Sequence, residues 1–294
     1  MANAIIVLGA SHWLSSLVGA MLGQHPQLYG LPELNLFVAD TVTQWHDYHT
    51  HRQDQPQATH GLVRALAQLH EGEQSEASAR RAWSWLADRR DWSIARIIAH
   101  LAAAVAPRIL VDKSTTSSVQ WGFLIRAYKA VPQANFLHVT THPLAVAHAL
   151  LDQREEPPPE QGKWLQQKLK LWYHHHSAIL DFASVLPEGQ CASVRGELLL
   201  TQDECYLPQI AQWLGIRDDA DAIEAMRHPE HSPFARPGPV NARWGDDRKF
   251  LLSPTLRRPE LTLPPLREDP LLAQIPDPEL TQAVGELARQ MGYG

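Results

Sequence analysis

The opening stretch of the sequence, from Ala4 to Glu33, constrains the fold more than any other part of the chain. An apolar run, Ile5 to Leu8, ends at Gly9; polar and aromatic residues follow, and then apolar residues recur at helical spacing. This pattern predicts a buried strand, a tight loop and a helix. In such a unit the loop and the helix N-terminus together form a cradle for anions. The sequence therefore predicts a ligand site close to the start of the chain.

Composition and charge exclude several classes of protein. The chain has 294 residues, 44% of them apolar, which is enough for a sizeable core. Its net charge of −6 includes no block of like charges, so we expect no nucleic-acid partner, because neutralising phosphates needs a basic face. No apolar run approaches the roughly 20 residues that span a bilayer, and no signal peptide is recognisable. The two cysteines lack metal-ligand spacing, so we expect no metal site, and their small number favours a cytoplasmic setting. We also expect no membrane partner.

Beyond the opening unit, short apolar strands alternate with helical patterns. We predict strands at 108–111, 135–139 and 190–194, and helices at 119–130, 143–151, 164–186, 202–214 and 220–226. Such alternation implies a mainly parallel sheet covered by helices on both faces, which is a three-layer α/β architecture. Ligands in such folds bind at the carboxyl ends of the strands. Four segments are therefore expected to share one cleft, namely 9–16, 112–118, 140–143 and 195–197.

Two regions do not follow the strand–helix alternation. Residues 35–106 are predicted to form a helical insertion or lid, with helices at 35–48, 61–70, 76–90 and 92–105. Residues 228–294 are predicted to form an irregular, proline-rich segment closed by a helix at 278–291. We expect a single domain spanning residues 1–294 that contains both regions.

The segments of the predicted cleft resemble the sulfotransferase superfamily, whose members use 3′-phosphoadenosine 5′-phosphosulfate (PAPS). In that family a strand leads into Arg/Lys-Ser-Gly-Thr-Thr, a helix ending in His-Pro, and a glutamate; His25-Pro26 and Glu33 match the end of this pattern. VDKSTTSS, from Val111, resembles the family's Asp-Lys-Ser/Thr-Pro segment. FLHVTTHPLAVAHALLD, from Phe136, resembles the strand and helix that bind the 3′-phosphate, and VRGELLL, from Val194, resembles Arg-x-Glu-x-Leu. The resemblance implies a P-loop-like sulfotransferase fold over nearly the whole chain.

The first of these motifs departs from the family pattern at its phosphosulfate loop. By the resemblance, the basic residue of the loop has become His12 and its glycine has become Leu14, so that only the hydroxyls of Ser15 and Ser16 remain. Glycine lets backbone N–H groups approach a phosphate closely and adopt positive φ. A leucine costs roughly 1–2 kcal/mol where left-handed geometry is needed.

The second motif departs in the same direction. Its arginine position holds Thr141 and its serine position holds Ala149. Each charge-assisted bond from arginine to phosphate is worth about 1.5–3 kcal/mol. Losing both basic ligands and the serine removes on the order of 5 kcal/mol, which is more than a thousandfold in affinity. We therefore expect no cofactor, while PAPS bound through protonated His12, Lys113, or Arg236 and Arg243 stays open as an alternative.

Four residues are predicted to perform acid–base catalysis. His12 lies where the sulfuryl group would sit, and His142 follows a strand of the same cleft. Glu33 stands near the point where, by the resemblance, related enzymes often place the residue that deprotonates the acceptor. Lys113 also follows a strand. Structural roles are open for each of them: a backbone-bonded histidine, a helix-capping glutamate, or a lysine paired with Asp112.

Six further residues are expected to contact the substrate: Trp13, Ser15, Ser16, Ser114, Thr141 and His148. Trp13 either stacks on a planar ligand or fills the emptied nucleotide site. The run His174-His175-His176 is a poor metal site, since consecutive residues of a helix do not converge on one point.

These observations predict an enzyme that keeps the sulfotransferase fold but has abandoned sulfuryl transfer. It would perform dehydration, cyclisation or isomerisation on a small molecule or a substrate tethered to a carrier protein, since these reactions need only proton transfer and positioning. The setting in bacterial specialised metabolism follows from the resemblance alone. Two alternatives stay open: a PAPS-dependent sulfotransferase acting on a hydroxyl group, and a catalytically silent protein that binds a partner through the loop at 154–162 and the Trp-rich insertion.

Overall fold

The computed structural model describes residues 4–10, 12–52, 57–151, 156, 158–256 and 265–293. Its centre is a sheet of parallel strands: β1 Ala4–Leu8, β2 Leu28–Gly30, β3 Ile109–Asp112, β4 Asn135–Thr140 and β5 Cys191–Arg195. The five strands lie in the order β2-β3-β1-β4-β5, with Ile6 of β1 aligned with Asp112 on one side and Phe136 on the other. Parallel neighbours cannot be joined by tight turns, so helical crossovers connect these strands.

Helices occupy most of the remaining described residues. The α-helices are α1 His12–Gly23, α2 Val42–Thr50, α3 His60–Glu71, α4 Glu76–Ala87, α5 Ile94–Val105, α6 Trp121–Ala130, α7 Ala145–Leu151, α8 Gln161–Ser184, α9 Gly196–Thr201, α10 Asp203–Leu214, α11 Ala220–Met226, α12 Arg248–Leu252 and α13 Pro278–Gln290. Short 3-10 helices include Thr115–Ser118 and Pro229–His231. In the described part of the chain, no helix is both long enough and apolar enough to cross a membrane.

The two faces of the sheet build two separate parts of the core. Ile5 and Val7 of β1 are buried with residues of α1, α10 and α11. Ile6 and Leu8 point to the other face and are buried with residues of α3, α5, α6 and α8. Alternating side chains of one strand thus reach both helical layers, as expected for a strand covered on both faces. The predicted three-layer α/β fold is confirmed.

The helix predicted at 35–48 is wrong in its first half. Residues 35–40 are not helical, and α2 begins only at Val42. Asn35 has a left-handed φ of 52°, which interrupts a right-handed helix. Thr41 is the actual N-cap: its backbone is extended and its side chain accepts a hydrogen bond from the backbone N–H of Gln44. The apolar residues that suggested a helix are buried instead in an irregular connection.

A buried arginine ties the insertion to the C-terminal segment. The Arg64 side chain of α3 is 1% exposed. Its guanidinium donates to the carbonyl oxygens of Arg236 at 2.7 Å, Trp244 at 3.0 Å and Phe234 at 3.4 Å, and to Gln74 Oε1 at 2.7 Å. Burial lowers the pKa of Arg64 to about 10, so the side chain stays charged at neutral pH. These bonds fix the backbone that leads to the candidate active site.

Candidate active site

The first part of the site lies where β1 and β3 end, and we call it the lysine end: Ser16, Glu33, Lys113 and Asp246. Lys113 and Asp246 form an ion pair whose side chains are 3% and 1% exposed. Ser16 Oγ donates to Asp246 Oδ1 at 2.9 Å. Because Asp246 belongs to the C-terminal segment, residues far apart in the sequence meet at this point.

The surroundings of Lys113 make it an unusual lysine. Burial lowers the pKa of Lys113 to about 7, while the nearby carboxylates of Glu33 and Asp112 act in the opposite direction. Buried ionisable groups whose pKa is shifted concentrate at functional sites. Of the two predicted roles of Asp112, pairing with Lys113 is wrong, because Asp112 Oδ1 instead accepts hydrogen bonds from Ser114.

Ser114 connects β3 to the loop that carries Glu33. Its hydroxyl donates to Asp112 Oδ1 at 2.6 Å and accepts from the Asn35 backbone N–H at 2.8 Å. Burial raises the pKa of Asp112 to about 6, and the bonds from Ser114 offset part of this effect. Thr116 Oγ1 donates to Asn35 Oδ1 at 2.8 Å. The left-handed turn at Asn35 is therefore held on both its backbone and its side chain.

A second contact positions Glu33 from the opposite side. The Glu33 backbone N–H donates to the Gly245 carbonyl oxygen at 2.7 Å. A Cβ atom at Gly61 would overlap the Glu33 carbonyl oxygen, and Gly245 has a φ of 113° and lies against Gly61. Only glycine permits this close approach and this dihedral angle. The first turn of α3, the Glu33 loop and the C-terminal segment therefore meet backbone to backbone.

An open pocket of about 210 Å³ lies beside these contacts. Residues of the Glu33 loop, the 3-10 helix after β3 and the C-terminal segment line it, among them Glu33, Asn35, Thr116, Trp244, Asp246 and Asp247. Arg248 stacks on the Trp244 ring, with its guanidinium carbon 4.5 Å from the ring centroid. Three of the lining residues carry carboxylates, and one of these, Asp246, is the partner of Lys113. It offers room for a small substrate group next to Glu33.

The second part of the site lies where β4 and β5 end, and we call it the tyrosine end: Thr140, His142, Glu197 and Tyr293. Glu197 accepts from the His142 backbone N–H at 2.7 Å with one carboxylate oxygen and from the Tyr293 hydroxyl at 2.7 Å with the other. The Tyr293 hydroxyl also lies 3.0 Å from Thr140 Oγ1. Burial and the Glu197 carboxylate raise the pKa of Tyr293 well above its usual range. A tyrosine and a glutamate of the chain itself therefore fill this end.

His142 and Arg195 complete the tyrosine end. The His142 ring packs edge-to-face on Tyr293 with the centroids 5.9 Å apart. Burial lowers the pKa of His142, and the Glu197 carboxylate opposes this shift. Arg195 donates to the Gly292 carbonyl oxygen at 2.6 Å, and its guanidinium lies 5.6 Å from the Tyr293 ring centroid. The arginine at this end is thus bound to the segment that carries Tyr293.

The structure divides the predicted site residues between these two ends. Ser16, Glu33, Lys113 and Ser114 lie at or next to the lysine end, and Ser15 is buried in α1. Thr141, His142 and His148 lie beyond β4; the Thr141 carbonyl accepts from Trp172, and His148 Nε2 is 2.6 Å from Asp269 Oδ2. His12 and Trp13 form the first turn of α1, and their side chains lie outside the described residues, as do residues 154, 155 and 157 of the predicted loop at 154–162. The catalytic roles of His12, Glu33, Lys113 and His142 stay predictions.

The sequence patterns do not single out Asp246, Tyr293 or Glu197 as site residues. Asp246 belongs to an irregular segment, and Tyr293 follows the last helix, so neither has a local signal of function. Glu197 does have one, because it directly follows β5 and lies within a segment predicted to border the cleft.

Known sulfotransferases are similar to this chain both in sequence and in structure. A sequence profile described as "Sulfotransferase family" matches residues 4–221. The sulfotransferase domain from the Synechococcus PCC 7002 olefin synthase is similar in structure, with a TM-score of 0.76 at 24% identity, covering 100% of this chain and 96% of that one. The sulfotransferase domain from the curacin biosynthetic pathway has a TM-score of 0.70 at 20% identity, covering 100% and 99%. No curated protein matches the sequence significantly. At these identities the solved structures show a shared fold.

Proposed function

The chain belongs to the sulfotransferase family, and we propose that it is an enzyme that has lost PAPS-dependent sulfuryl transfer and performs acid–base chemistry in the pocket beside Glu33. The substrate is a small molecule or a carrier-tethered group that undergoes dehydration, cyclisation or isomerisation. One observation carries the proposal: side chains of the protein itself satisfy both ends of the cleft at which the family's motifs would bind phosphate groups.

The tyrosine end argues against a 3′-phosphate. By the family resemblance, this group would lie after β4, where Thr141 stands at the arginine position. Thr141 supplies no positive charge there, and the His142 N–H and the Tyr293 hydroxyl already donate to Glu197. A 3′-phosphate would therefore meet no arginine, and the nearby donors are already used. The residues of this end do not fit the nucleotide.

The lysine end argues against a phosphosulfate group in the same way. Lys113 is paired with Asp246, and the Ser16 hydroxyl donates to the same carboxylate. An anionic ligand would have to displace Asp246 from both partners and lie near Glu33 as well. Removing one member of a buried ion pair is costly, because the other charge is left unpaired. The proposed reaction therefore proceeds without PAPS.

The chemistry left to the pocket is proton transfer. Glu33 lines the pocket, and its backbone N–H is bonded to the Gly245 carbonyl oxygen. The backbone position of Glu33 is therefore fixed, which helps its carboxylate to take a substrate proton. In a dehydration, Glu33 takes the proton from the carbon next to a carbonyl group, and the hydroxyl on the adjacent carbon leaves after receiving a proton. His12 stays the predicted donor of that second proton. Lys113 is a positioning residue, because its ion pair with Asp246 holds the segment that lines the pocket opposite Glu33.

The similar structures support a biosynthetic substrate. Both come from proteins named for biosynthesis, an olefin synthase and the curacin pathway. We extend this setting to the present chain as part of the proposal, and it favours a substrate carried as a thioester. A pocket of about 210 Å³ holds the reacting end of such a substrate.

Calorimetric titration with 3′-phosphoadenosine 5′-phosphate tests the first half of the proposal. We expect no heat of binding, because the ligands for both phosphates are missing or already paired. A PAPS-dependent sulfotransferase in the same buffer is the positive control. A dissociation constant of about 1 µM or tighter would overturn the proposal and restore the alternative of a PAPS-dependent sulfotransferase.

Turnover of 3-hydroxyacyl, 2-enoyl and 3-oxoacyl pantetheine thioesters tests the second half. Mass spectrometry in D₂O reports loss of water and exchange of the carbon-bound proton. We expect Glu33→Gln to lower the rate by about 10²–10⁴-fold, the usual contribution of a general base. Asp247→Asn is the matched control, because it removes a carboxylate from the same pocket and should keep most of the rate. Equal rates for the native protein and Glu33→Gln, or no reaction of any thioester, would sink this half.

A further inference from the structure

A cluster of metal-ligating side chains lies far from the acid–base pocket in the sequence, where α11 leads into the 3-10 helix Pro229–His231. His228, Glu230 and His231 each offer a ligand atom, and these atoms all lie within 4.8 Å of one another. His228 Nδ1 is 2.9 Å from Glu230 Oε1. The two imidazole rings stack with their centroids 5.0 Å apart and an interplanar angle of 15°.

The backbone explains why the two histidines face each other. A 3-10 helix has three residues per turn, so side chains at positions i and i+3 are eclipsed. The His231 N–H donates to the His228 carbonyl oxygen at 3.0 Å, which closes this turn. Pro229 occupies the first helical position, where its fixed φ favours helix entry. The sequence His-Pro-Glu-His thus brings two imidazoles together, unlike the consecutive histidines of α8.

We propose that His228, Glu230 and His231 bind a divalent late transition-metal ion, for which Zn²⁺ is the probe. Imidazole nitrogen and carboxylate oxygen are ligands that Zn²⁺ accepts, and three protein ligands leave the fourth tetrahedral position to water. The ion takes the place of the proton between His228 Nδ1 and Glu230. The site lies at the surface, so no desolvated cavity has to be opened for the ion to enter.

Neighbouring carboxylates favour a positive charge at this site. Carboxylate oxygens of Glu230 and Glu224 lie on both ring nitrogens of His228, the nearer one 2.9 Å from Nδ1. Glu224 Oε1 lies 3.5 Å from His228 Nε2, on the side of the ring opposite Glu230. A carboxylate that accepts from the second nitrogen of a ligating histidine fixes the tautomer and raises the basicity of the ligand. Glu224 is therefore a supporting residue of the site.

The position of the site gives metal binding a structural consequence. The 3-10 helix packs against α1 and leads into the segment whose carbonyls accept from Arg64. The same segment continues to Asp246, which forms the ion pair with Lys113. An ion bound at His228 and His231 fixes the start of this segment and is expected to raise the melting temperature, because it binds the folded chain only.

Metal binding is measured on the full chain prepared without a polyhistidine tag, by competition between the protein and a Zn²⁺-chelating dye. We expect one ion per chain, with a dissociation constant of about 10 µM or tighter. The variant His228→Ala/His231→Ala should lose this site. The control His51→Ala/His174→Ala removes two exposed histidines elsewhere and should keep it.

Further outcomes separate a built site from unspecific binding to histidines. Glu230→Gln preserves the shape of the side chain but removes its charge, and should weaken binding by at least about tenfold. Zn²⁺ should raise the melting temperature of the native protein and of the control, but not that of His228→Ala/His231→Ala. Equal Zn²⁺ binding by all four proteins, or no binding by the native protein, would overturn the proposal. Circular dichroism shows whether each variant is folded, and none of these readouts depends on enzyme activity.

Discussion

The lysine end and the tyrosine end lie side by side along the carboxyl edge of one sheet. At the lysine end, Lys113 and Asp246 pair beneath a pocket of about 210 Å³ that Glu33 lines. At the tyrosine end, the Tyr293 hydroxyl donates to Glu197, and so does the His142 N–H that follows β4. Both ends hold a carboxylate that accepts from side chains or backbone of the same chain. The comparison teaches that one sheet edge can be closed in two ways, by pairing a buried cation with a carboxylate or by filling the space with hydrogen-bonded side chains.

The largest expected effect is at the lysine end. Lys113→Met leaves the Asp246 carboxylate buried without its cation, and breaking a buried pair from one side costs about 3–5 kcal/mol in the free energy of unfolding. Urea unfolding at pH 7 measures this loss. Lys113→Met/Asp246→Leu removes both charges and should recover most of the stability. If the single and double variants are equally stable, the ion pair is not what holds this end together.

The next effect comes from pH and concerns two buried histidines next to the tyrosine end. His138 of β4 and His176 of α8 are fully buried, with their ring nitrogens 2.8 Å apart. Burial lowers the pKa of His138 to about 3 and that of His176 well below its usual value. The unfolded chain therefore binds protons below pH 6.5 that the folded chain does not, so stability falls as the pH drops from 6.5 towards 3.

At pH 5 this difference amounts to roughly 2 kcal/mol for each histidine, or about 2–4 kcal/mol for the pair. Urea unfolding at pH 7 and pH 5 measures it. His138→Leu/His176→Leu is the comparison variant and should lose distinctly less stability over the same interval. An unchanged pH dependence in this variant would show that other groups dominate acid unfolding.

Ser16→Ala tests one hydroxyl at the lysine end, which also accepts a longer hydrogen bond of 3.3 Å from the Asp247 backbone N–H. Ser16 is fully buried, and its hydroxyl donates to Asp246 Oδ1 at 2.9 Å. A buried hydrogen bond to a charged group contributes about 1.5–3 kcal/mol, so the variant should lose that much stability in urea. Ser16→Thr, which keeps the hydroxyl, is the control for the bond. If Ser16→Ala lost less unfolding free energy than Tyr293→Phe, the contrast between the two ends would be reversed.

Tyr293→Phe is the matching deletion at the tyrosine end and has the smallest expected effect. It removes the hydroxyl that donates to Glu197 Oε2 at 2.7 Å but keeps the ring against His142. Tyr293 is half-buried, so water can replace part of the lost bond, and we expect a loss of about 0.5–1.5 kcal/mol. The variant should still give no calorimetric signal with 3′-phosphoadenosine 5′-phosphate, because Thr141 supplies no charge and Lys113 stays paired with Asp246. Measurable binding would identify the hydroxyl as the group that excludes the nucleotide.

Much of the fold is readable from local patterns. The apolar run from Ile5 to Leu8 predicts a strand, and β1 spans Ala4–Leu8, because an uninterrupted apolar run ending at glycine leaves little choice. Ser16 and Lys113 belong to two of the segments predicted to share a cleft, and in the structure both contact Asp246. β2 has no such signal, since its three residues are too few for a periodic pattern.

The partners of these residues could not be predicted in the same way. Asp246 meets Lys113 only because the irregular C-terminal segment folds back across the chain, a contact between residues 133 positions apart. Tyr293 reaches Glu197 through the packing of α13 on α8, which no local spacing encodes. The helix expected from residue 35 fails at Asn35, where tertiary hydrogen bonds to Ser114 and Thr116 favour a left-handed turn over the local helical pattern.

Arg64 has a consequence that reaches beyond its own position. Its guanidinium finds its acceptors only when α3 and the segment from Phe234 to Trp244 are both in place, since α3 carries the donor and the segment supplies three of the four acceptors. The insertion and the wall of the pocket therefore form and open as one cooperative unit. Sequence changes on the outer helices can then alter the shape of the pocket without touching any ligand. In the proposed enzyme, substrate preference can therefore change through mutations at residues that do not contact the substrate.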